Sequence, residues 1–279
     1  MKGLIVTADD FGIAREVNDA VEMAHRGGVL TAASLMVAAP DVDNAIKRAK
    51  TLPSLRVGLH IVLVDGEPAL PAAQIPDLVD STGRFHTNMA RAGAAMFFKS
   101  SVRRQLRAEI TAQFEAYRAT GLPLDHVNAH KHFHLHPTIL STILQVGKQY
   151  GLKSIRVPYE PRDVLLKAEP SAQIPPAIVT APWAMLARAR VRGAGLFAPD
   201  AVFGLAWSGA MTHRRLAALI ENLPDGISEI YCHPATQRGF AGSAPGYAYA
   251  EEFAALTAPD ILRKTGTLGI IRGGFSDFQ

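Results

Sequence analysis

The chain has 279 residues, of which 48% are hydrophobic and 19% are charged, so it is long enough to bury a large core. A single cysteine, Cys232, excludes an internal disulfide and is expected to pack inertly, and a net charge of +4 gives little support for nucleic-acid binding. No uncharged apolar run reaches the ~18 residues of a membrane span, and the apolar N-terminal stretch is too short for a signal peptide, so we expect a cytoplasmic protein.

Short apolar runs alternate with longer amphipathic stretches along the chain. The runs predict strands over residues 3–8, 30–38, 56–63, 124–130, 153–158, 228–233 and 267–272. The amphipathic stretches predict helices over residues 15–27, 41–50, 100–120 and 137–150, with Asp41 capping the second. This alternation predicts an α/β fold, a distorted (β/α) barrel of mainly parallel strands in a single domain spanning 1–279. The stretches 64–98 and 159–205 break the rhythm and are interpreted as insertions around a cleft.

Two adjacent aspartates, Asp9 and Asp10, directly follow the first predicted strand. In parallel barrels the catalytic groups lie at the carboxyl ends of strands. Two buried neighbouring carboxylates lose water and repel each other, and a metal ion offsets that cost for one while the other stays free to act as a base. A solvated turn is the alternative interpretation, because aspartate is common in turns.

Histidines are concentrated in one short tract. Five of the ten histidines lie between Asp125 and Pro137, namely His126, His130, His132, His134 and His136. Alternate spacing places side chains on one face of an extended chain, and imidazole is the commonest metal ligand in proteins. A single ion cannot bind all five, so the others would neighbour the ligands, act as acids or contact substrate. His60, near the end of strand 56–63, is a second candidate ligand, although a lone histidine there is more often a core residue.

One carboxylate and two imidazoles from three strand ends, Asp10, His60 and His130, would leave coordination positions open for water and substrate. A metal bound there lowers the pKa of its water and polarises a carbonyl. Asp9 would take the proton from that water, and Arg156, on strand 153–158, would either orient Asp9 or form a structural ion pair. His233, at the end of strand 228–233, would protonate a leaving amine. This ligand set suits zinc, with magnesium and other divalent ions left open, and His132 or His134 remains possible in place of His130.

At these residues the sequence resembles the YdjC/ChbG-like carbohydrate deacetylases. The motifs that carry the resemblance are Thr7–Gly12, Val57–His60, His130–His134 and Tyr231–Pro234. A closer likeness, to the members associated with hopanoid biosynthesis, rests on Leu122–His130, Phe203–Thr212 and Ala244–Tyr247.

The resemblance implies a distorted (β/α) barrel with a divalent metal held by Asp10, His60 and His130, and Asp9 as the base. It implies removal of acetate from an N-acetylglucosaminyl group, here on a hopanoid lipid head group. Residues expected to contact the sugar are His132, His134, Phe11, Tyr159 and Trp207. One departure is Asn128, where many members carry aspartate.

A lipid-linked substrate would need a surface for the lipid. The segment from Glu169 to Asp200 contains no acidic residue between its ends, and residues 183–192 within it form a basic, amphipathic stretch. We expect residues 183–192 to rest on an anionic membrane face, with an ordinary helix packed on the barrel as the alternative.

Two other classes of function stay open. A phosphoesterase or amidohydrolase would use His130 and His132 as paired ligands and would not need Asp9. A non-catalytic sugar- or lipid-binding partner would release no acetate with any metal. The sequence leaves the oligomeric state open, a homo-oligomer included.

Overall fold

The computed structural model describes residues 1–172 and 181–279, and its described part contains a seven-stranded parallel sheet. The strands are β1 (Lys2–Phe11), β2 (Ala32–Leu35), β3 (Arg56–Ile61), β4 (Val127–Ala129), β5 (Ala201–Phe203), β6 (Gly226–Cys232) and β7 (Ile271–Arg272). They are arranged in the order β4-β3-β2-β1-β6-β5, and β7 pairs with the start of β1. Because every pairing is parallel, the carboxyl ends of the strands meet at one end of the sheet.

Helices connect and cover these strands. They are α1 (Arg15–Gly27), α2 (Val42–Lys50), α3 (Met89–Phe98), α4 (Ser100–Ala119), α5 (Pro137–Gly147), α6 (Arg162–Ala168), α7 (Ala181–Gly193), α8 (His213–Asn222), α9 (Tyr249–Thr257) and α10 (Pro259–Thr267). Short 3₁₀ turns span Ala72–Gln74, His130–Leu135, Lys148–Tyr150 and Phe275–Phe278. In α1, Val17, Val21 and Ala24 recur at helical spacing and are buried in the core, which is why this segment is a helix. None of the helices in the described residues is both long and apolar enough to span a membrane.

The sheet curls beyond its regular ladders. Isolated parallel bridges join Val127 to Ile155 and Ser154 to Phe197. The backbone N–H of Val202 in β5 donates to the carbonyl of Tyr159 at 2.8 Å. These contacts carry the sheet from β4 round towards β5, so the expected distorted parallel barrel is confirmed.

The central strands of the sheet are buried. In β1, Leu4, Ile5, Val6 and Ala8 are fully buried, so the strand that precedes the aspartate pair is a core strand, as its apolar run predicts. Cys232 at the end of β6 is also buried, and burial raises the pKa of its thiol well above the usual value. The thiol is therefore inert, as expected.

Several predicted boundaries were wrong. Only Ser154 and Ile155 of the predicted strand 153–158 form bridges. The predicted strand 267–272 begins too early, because Thr267 still belongs to α10. Asp41 precedes α2 as expected, but its carboxylate accepts from the Asn18 amide at 2.8 Å and does not cap the helix.

The two expected insertions have different outcomes. Residues 64–98 contain α3 and irregular chain, which the Glu109 carboxylate of α4 holds by accepting from the backbone N–H groups of Ala69 and Leu70 at 2.8 and 3.0 Å. The segment 159–205 is not wholly an insertion, because residues 201–203 form β5 inside the sheet. Three residues are too few to show a period in the sequence. Residues 173–180 of that segment lie outside the described residues.

Candidate metal and catalytic site

The carboxyl ends of β1, β3, β4 and β6 open into a cavity of about 710 Å³. Six residues expected to carry chemistry lie in its wall, namely Asp9, Asp10, His60, His130, His132 and His233. Residues more than 200 positions apart in the chain are thus brought together at strand ends, where parallel barrels place their chemistry.

An irregularity in β1 makes neighbouring aspartates share this cavity. In a regular strand, successive side chains point to opposite faces. The register of β1 against β2 shifts between Ala8 and Phe11, and Asp10 has a φ of 61°. A left-handed backbone is uncommon for a residue other than glycine and costs about 1–3 kcal/mol, and such residues cluster at functional sites. The shift brings both Asp9 and Asp10 to the cavity wall.

Asp10, His60 and His130 form a compact cluster of potential metal ligands. The Asp10 Oδ1 atom lies 3.4 Å from His60 Nε2 and 3.3 Å from His130 Nδ1, and the three ligand atoms lie within 4.8 Å of one another. Among the described residues, Asp10 Oδ1 and His60 Nε2 are buried and have no hydrogen-bond partner. Burial raises the pKa of Asp10, but the adjacent His130 and His60 lower it further, so the carboxylate stays ionised. An ionised carboxylate beside two imidazole nitrogens fits a divalent cation.

Asn128 orients His60 from behind. The His60 Nδ1–H donates to Asn128 Oδ1 at 2.7 Å, which leaves His60 Nε2 directed towards Asp10. The Asn128 amide donates in turn to Asp9 Oδ1 at 3.1 Å and to Ser34 Oγ at 2.8 Å. An aspartate at position 128 would instead place a second carboxylate against Asp9, so the asparagine suits this arrangement.

Arg156 holds the second aspartate. Its guanidinium donates to Asp9 from Nη1 at 2.5 Å and from Nη2 at 3.0 Å, a bidentate pair between two buried groups. The same guanidinium donates to Glu229 Oε1 from Nε at 2.9 Å and lies 4.6 Å from the centre of the Tyr231 ring. Burial raises the pKa of Asp9, but Arg156 beside it lowers the value further, to well below the usual range. Asp9 is therefore an ionised carboxylate throughout the neutral pH range.

Two other histidines of the tract have different environments. His132 lines the cavity, and its Nε2 lies 2.8 Å from the Tyr231 hydroxyl. His134 is buried, and its Nε2–H donates to the carbonyl of Arg156 at 2.8 Å. Burial lowers the pKa of both rings, that of His134 to about 4, so both are neutral at neutral pH.

His233 stands in the cavity wall at the end of β6. Its backbone N–H donates to Glu252 Oε2 at 2.5 Å, and its ring centre lies 5.0 Å from that of Tyr247. Glu252 also accepts from the backbone N–H of Met211 at 2.7 Å, so it fixes the backbone that carries His233. The imidazole is left facing the cavity.

Most of the expected sugar contacts lie elsewhere. Of the five, only His132 is part of the cavity wall. Phe11 is fully buried at the end of β1, and Trp207 is buried with the Arg215 guanidinium 5.2 Å from its ring. Tyr159 lies 4.7 Å from the Arg188 guanidinium. These placements do not favour direct contact of Phe11, His134, Tyr159 or Trp207 with a sugar, because other protein groups already occupy their surroundings.

Some important residues were missed by the sequence reasoning. Tyr247 and Tyr249 complete the cavity wall from a loop and the start of α9, where no periodic pattern marks them. Glu229 is fully buried within β6, and an acidic residue in an otherwise apolar strand was the available signal. It is the second carboxylate that balances Arg156.

A parallel barrel with one carboxylate and two imidazoles converging at its strand ends defines a protein with a candidate metal centre. The YdjC-like protein family matches residues 3–265, and the chain belongs to that family. A carbohydrate deacetylase of Geobacillus stearothermophilus is 30% identical over 269 residues, which cover 95% of this chain and 94% of that protein. A carbohydrate deacetylase of Brevibacillus brevis is 38% identical over 156 residues, covering 56% of this chain and 59% of that protein, less than two thirds of its length.

A solved structure has the same fold. It comes from Enterococcus faecalis V583 and is described as a candidate cellobiose-phosphate cleavage protein. It superposes with a TM-score of 0.76 at 24% identity and covers 99% of this chain and 98% of its own. The family expected from the sequence motifs is therefore confirmed, together with its barrel.

Proposed function

We propose that this protein is a metal-dependent deacetylase that hydrolyses the N-acetyl group of an N-acetylglucosaminyl moiety. The observation that carries the proposal is the Asp10, His60 and His130 cluster with the ionised Asp9 beside it. Membership of the YdjC-like family and the carbohydrate deacetylases among the similar proteins support the same reaction class.

Each side chain has a distinct task in that reaction. A divalent cation held by Asp10, His60 and His130 would supply Lewis acidity towards the amide carbonyl and its attacking water. Asp9 accepts a proton from the water, and Arg156 keeps Asp9 ionised and fixes its orientation. The water oxygen bonds to the acetyl carbon, the C–N bond breaks, and His233 gives a proton to the departing amine nitrogen. Acetate and a free amino sugar are the products.

The shape of the cavity supports an amphiphilic substrate. At about 710 Å³ the cavity is at the upper part of the usual range for small-molecule sites, which is about 300–1,000 Å³. Beyond the polar cluster, part of its wall is apolar, with Ile13, Met36, Val37 and Pro245 among the lining residues. We therefore propose an N-acetylglucosaminyl hopanoid as the substrate, in line with the likeness of three motifs to the members associated with hopanoid biosynthesis. An apolar aglycone would lie along this wall.

The competing use of His130 and His132 as paired ligands is less well supported. His132 is not part of the three-residue cluster of potential metal ligands. Asp9, dispensable in that scheme, is held by two hydrogen bonds from a buried arginine, an arrangement that suits a group with a task.

Mass spectrometry tests the proposal. An acetylated glucosaminyl hopanoid and free N-acetylglucosamine are incubated with the protein and zinc, magnesium or other divalent ions. We expect loss of acetate from the hopanoid with at least one metal. Asp9→Asn should keep metal binding and lose most activity, Asp10→Asn should lose metal binding, and Asp65→Asn, at the exposed rim, should keep both. No acetate release from either substrate with any metal would contradict the proposal.

We also propose that residues 183–192 of α7 touch the inner face of an anionic membrane. The helix packs on the protein through Ala184, Ala187 and Val191, as an ordinary surface helix does. Its other side leaves Trp183 43% and Leu186 60% exposed, and three arginines lie within residues 188–192. Exposed apolar groups beside cations fit an anionic bilayer surface.

The end of α3 adds an exposed apolar residue to the proposed membrane-facing surface. The indole N–H of Trp183 donates to the carbonyl of Leu135, and the Phe97 ring at the end of α3 lies 6.1 Å from the His136 ring. The end of α3 and the start of α7 therefore both contact the segment that contains Leu135 and His136. Phe98, next to Phe97, is 78% exposed. In a flotation assay, we expect the protein to float with phosphatidylglycerol vesicles and Leu186→Glu to float less. An intact protein that never floats with anionic vesicles would remove this proposal.

A further inference from the structure

A series of buried hydrogen bonds runs beneath the ligand cluster of Asp10, His60 and His130. It passes through groups that the proposed reaction does not use. Its members are Asp125, His126, Ser34 and Asn128, each at most 4% exposed. Asp125 and His126 precede β4, Ser34 lies in β2, and Asn128 lies in β4. Polar groups buried this deeply are costly unless each finds a partner, so their arrangement calls for a function.

These hydrogen bonds form an unbroken series from Asp125 to His60. His126 Nδ1 lies 2.9 Å from Asp125 Oδ2, and His126 Nε2 lies 3.0 Å from Ser34 Oγ. Ser34 Oγ accepts from Asn128 Nδ2 at 2.8 Å, and Asn128 Oδ1 accepts from His60 Nδ1 at 2.7 Å. Four hydrogen bonds therefore connect Asp125 to His60, one of the three potential metal ligands.

The donor and the acceptor of each hydrogen bond can be assigned one after another, starting from Asp125. Asp125 also accepts from the backbone N–H groups of Phe275 at 3.2 Å and Ser276 at 2.9 Å, as an ionised carboxylate does. A carboxylate only accepts, so the proton of a neutral His126 ring is on Nδ1. His126 Nε2 is then an acceptor, and the Ser34 hydroxyl donates to it.

The donors and acceptors at Asn128 and His60 follow from those at Ser34 and Asp9. With its proton given to His126, Ser34 can only accept from Asn128, and the ionised Asp9 also accepts from the same amide nitrogen at 3.1 Å. The Asn128 amide nitrogen therefore faces Ser34 and Asp9, and its carbonyl faces His60. His60 must then carry its proton on Nδ1, which leaves the Nε2 lone pair directed at Asp10. A flipped amide would put an N–H against His60 Nδ1 and move the ring proton to Nε2, where it would block a cation.

We propose that Asp125, His126 and Ser34 are positioning residues that, together with Asp9, set the tautomer of His60 through Asn128 and so preorganise the cation site. This inference rests on the proposed function for the identity of the cluster as a cation site. The turn at Phe275–Phe278 holds Asp125 and His126 in place. It supplies the two backbone N–H donors to Asp125, and the Phe275 ring stacks on the His126 ring with their centres 4.1 Å apart.

Zinc affinity of the metal-free protein, measured by competition with a chromophoric chelator, tests the role of Ser34. Ser34→Ala should bind zinc roughly 10- to 100-fold more weakly, the range seen when groups behind a metal ligand are removed. Ser228→Ala is the matched control, because Ser228 is also a buried strand serine but its Oγ has no hydrogen-bond partner among the described residues. We expect Ser228→Ala to bind like the wild type, and urea unfolding checks that both variants are folded. Equal affinity of Ser34→Ala and the wild type would overturn the proposal.

Nitrogen-15 NMR of histidine-labelled protein provides a readout that does not depend on metal. Long-range proton–nitrogen spectra should show His126 and His60 with the proton on Nδ1, and His126→Gln and His60→Gln assign the two signals. A ring of His126 or of His60 without a proton on Nδ1 would overturn the proposed direction. If the wild type binds no cation but His126 and His60 both carry a proton on Nδ1, the proposed function is contradicted, while the inferred hydrogen-bond directions still hold.

Discussion

Removal of the Arg156 guanidinium should be among the most damaging single changes in this protein. Arg156 is fully buried and serves two carboxylates, Asp9 and Glu229, which are themselves almost completely buried. Arg156→Met keeps much of the apolar volume over the Tyr231 ring but leaves both acids without a counter-charge.

The expected loss follows from the cost of an unpaired buried charge. Breaking a buried ion pair by removing one partner costs about 3–5 kcal/mol. Typical domains have a free energy of unfolding of about 5–15 kcal/mol, so this loss is a large fraction of the total. Glu229→Gln in the same chain removes one of the two unpaired acids, and the double variant should regain roughly 1–3 kcal/mol relative to Arg156→Met.

Urea unfolding at pH 7, followed by circular dichroism, measures these differences. Arg118 offers a matched control, because it also pairs with a glutamate, Glu115, and lies 5.4 Å from a tyrosine ring, but its side chain is 68% exposed. Arg118→Met should cost less than about 1 kcal/mol. The reasoning is refuted if Arg156→Met and Arg118→Met lose similar amounts, or if the effects of Arg156→Met and Glu229→Gln simply add.

Two further predictions concern single side chains. Burial raises the pKa of Glu160 from 4.5 to about 7, so the folded state binds this proton more tightly than the unfolded chain and stability falls as pH rises through that window. Glu160→Gln should remove about 3 kcal/mol of this pH-dependent loss, and unfolding midpoints that fall equally with pH in both proteins would contradict it. Gly58→Ala should cost about 1–3 kcal/mol, because its Cβ would lie 2.5 Å from the His126 ring and backbone oxygen. Gly266→Ala, with open space around it, should be neutral or stabilising in the same urea assay, and equal losses at the two glycines would refute the steric argument.

The sequence predicted the parts of the fold whose signal is local. The helix over 15–27 and the long helix from residue 100 match the structure closely, because their apolar residues recur at helical spacing over many turns. β5 was missed because three residues carry no period, and its place in the sheet depends on pairing with β6. Short strands are determined by tertiary contacts that a sequence pattern does not record.

The candidate site shows the same division. Asp9, Asp10, His60 and His130 could be chosen because rare, costly side chains followed apolar strands, and the structure brings them to one cavity. Tyr247 and Tyr249 could not, since a loop residue and the first residue of a helix reach the cavity only through the path of the chain. The expected sugar contacts at Phe11 and Trp207 lie in motifs of the family resemblance, but a motif does not show where a side chain points, and both residues are buried in the core.

The left-handed backbone at Asp10 implies that activity and thermal robustness oppose each other at this position. Glycine adopts a φ of 61° without strain, so Asp10→Gly is expected to raise the melting temperature while it destroys the cluster. A laboratory selection that rewarded heat resistance alone would thus favour loss of the aspartate on which the proposed chemistry depends.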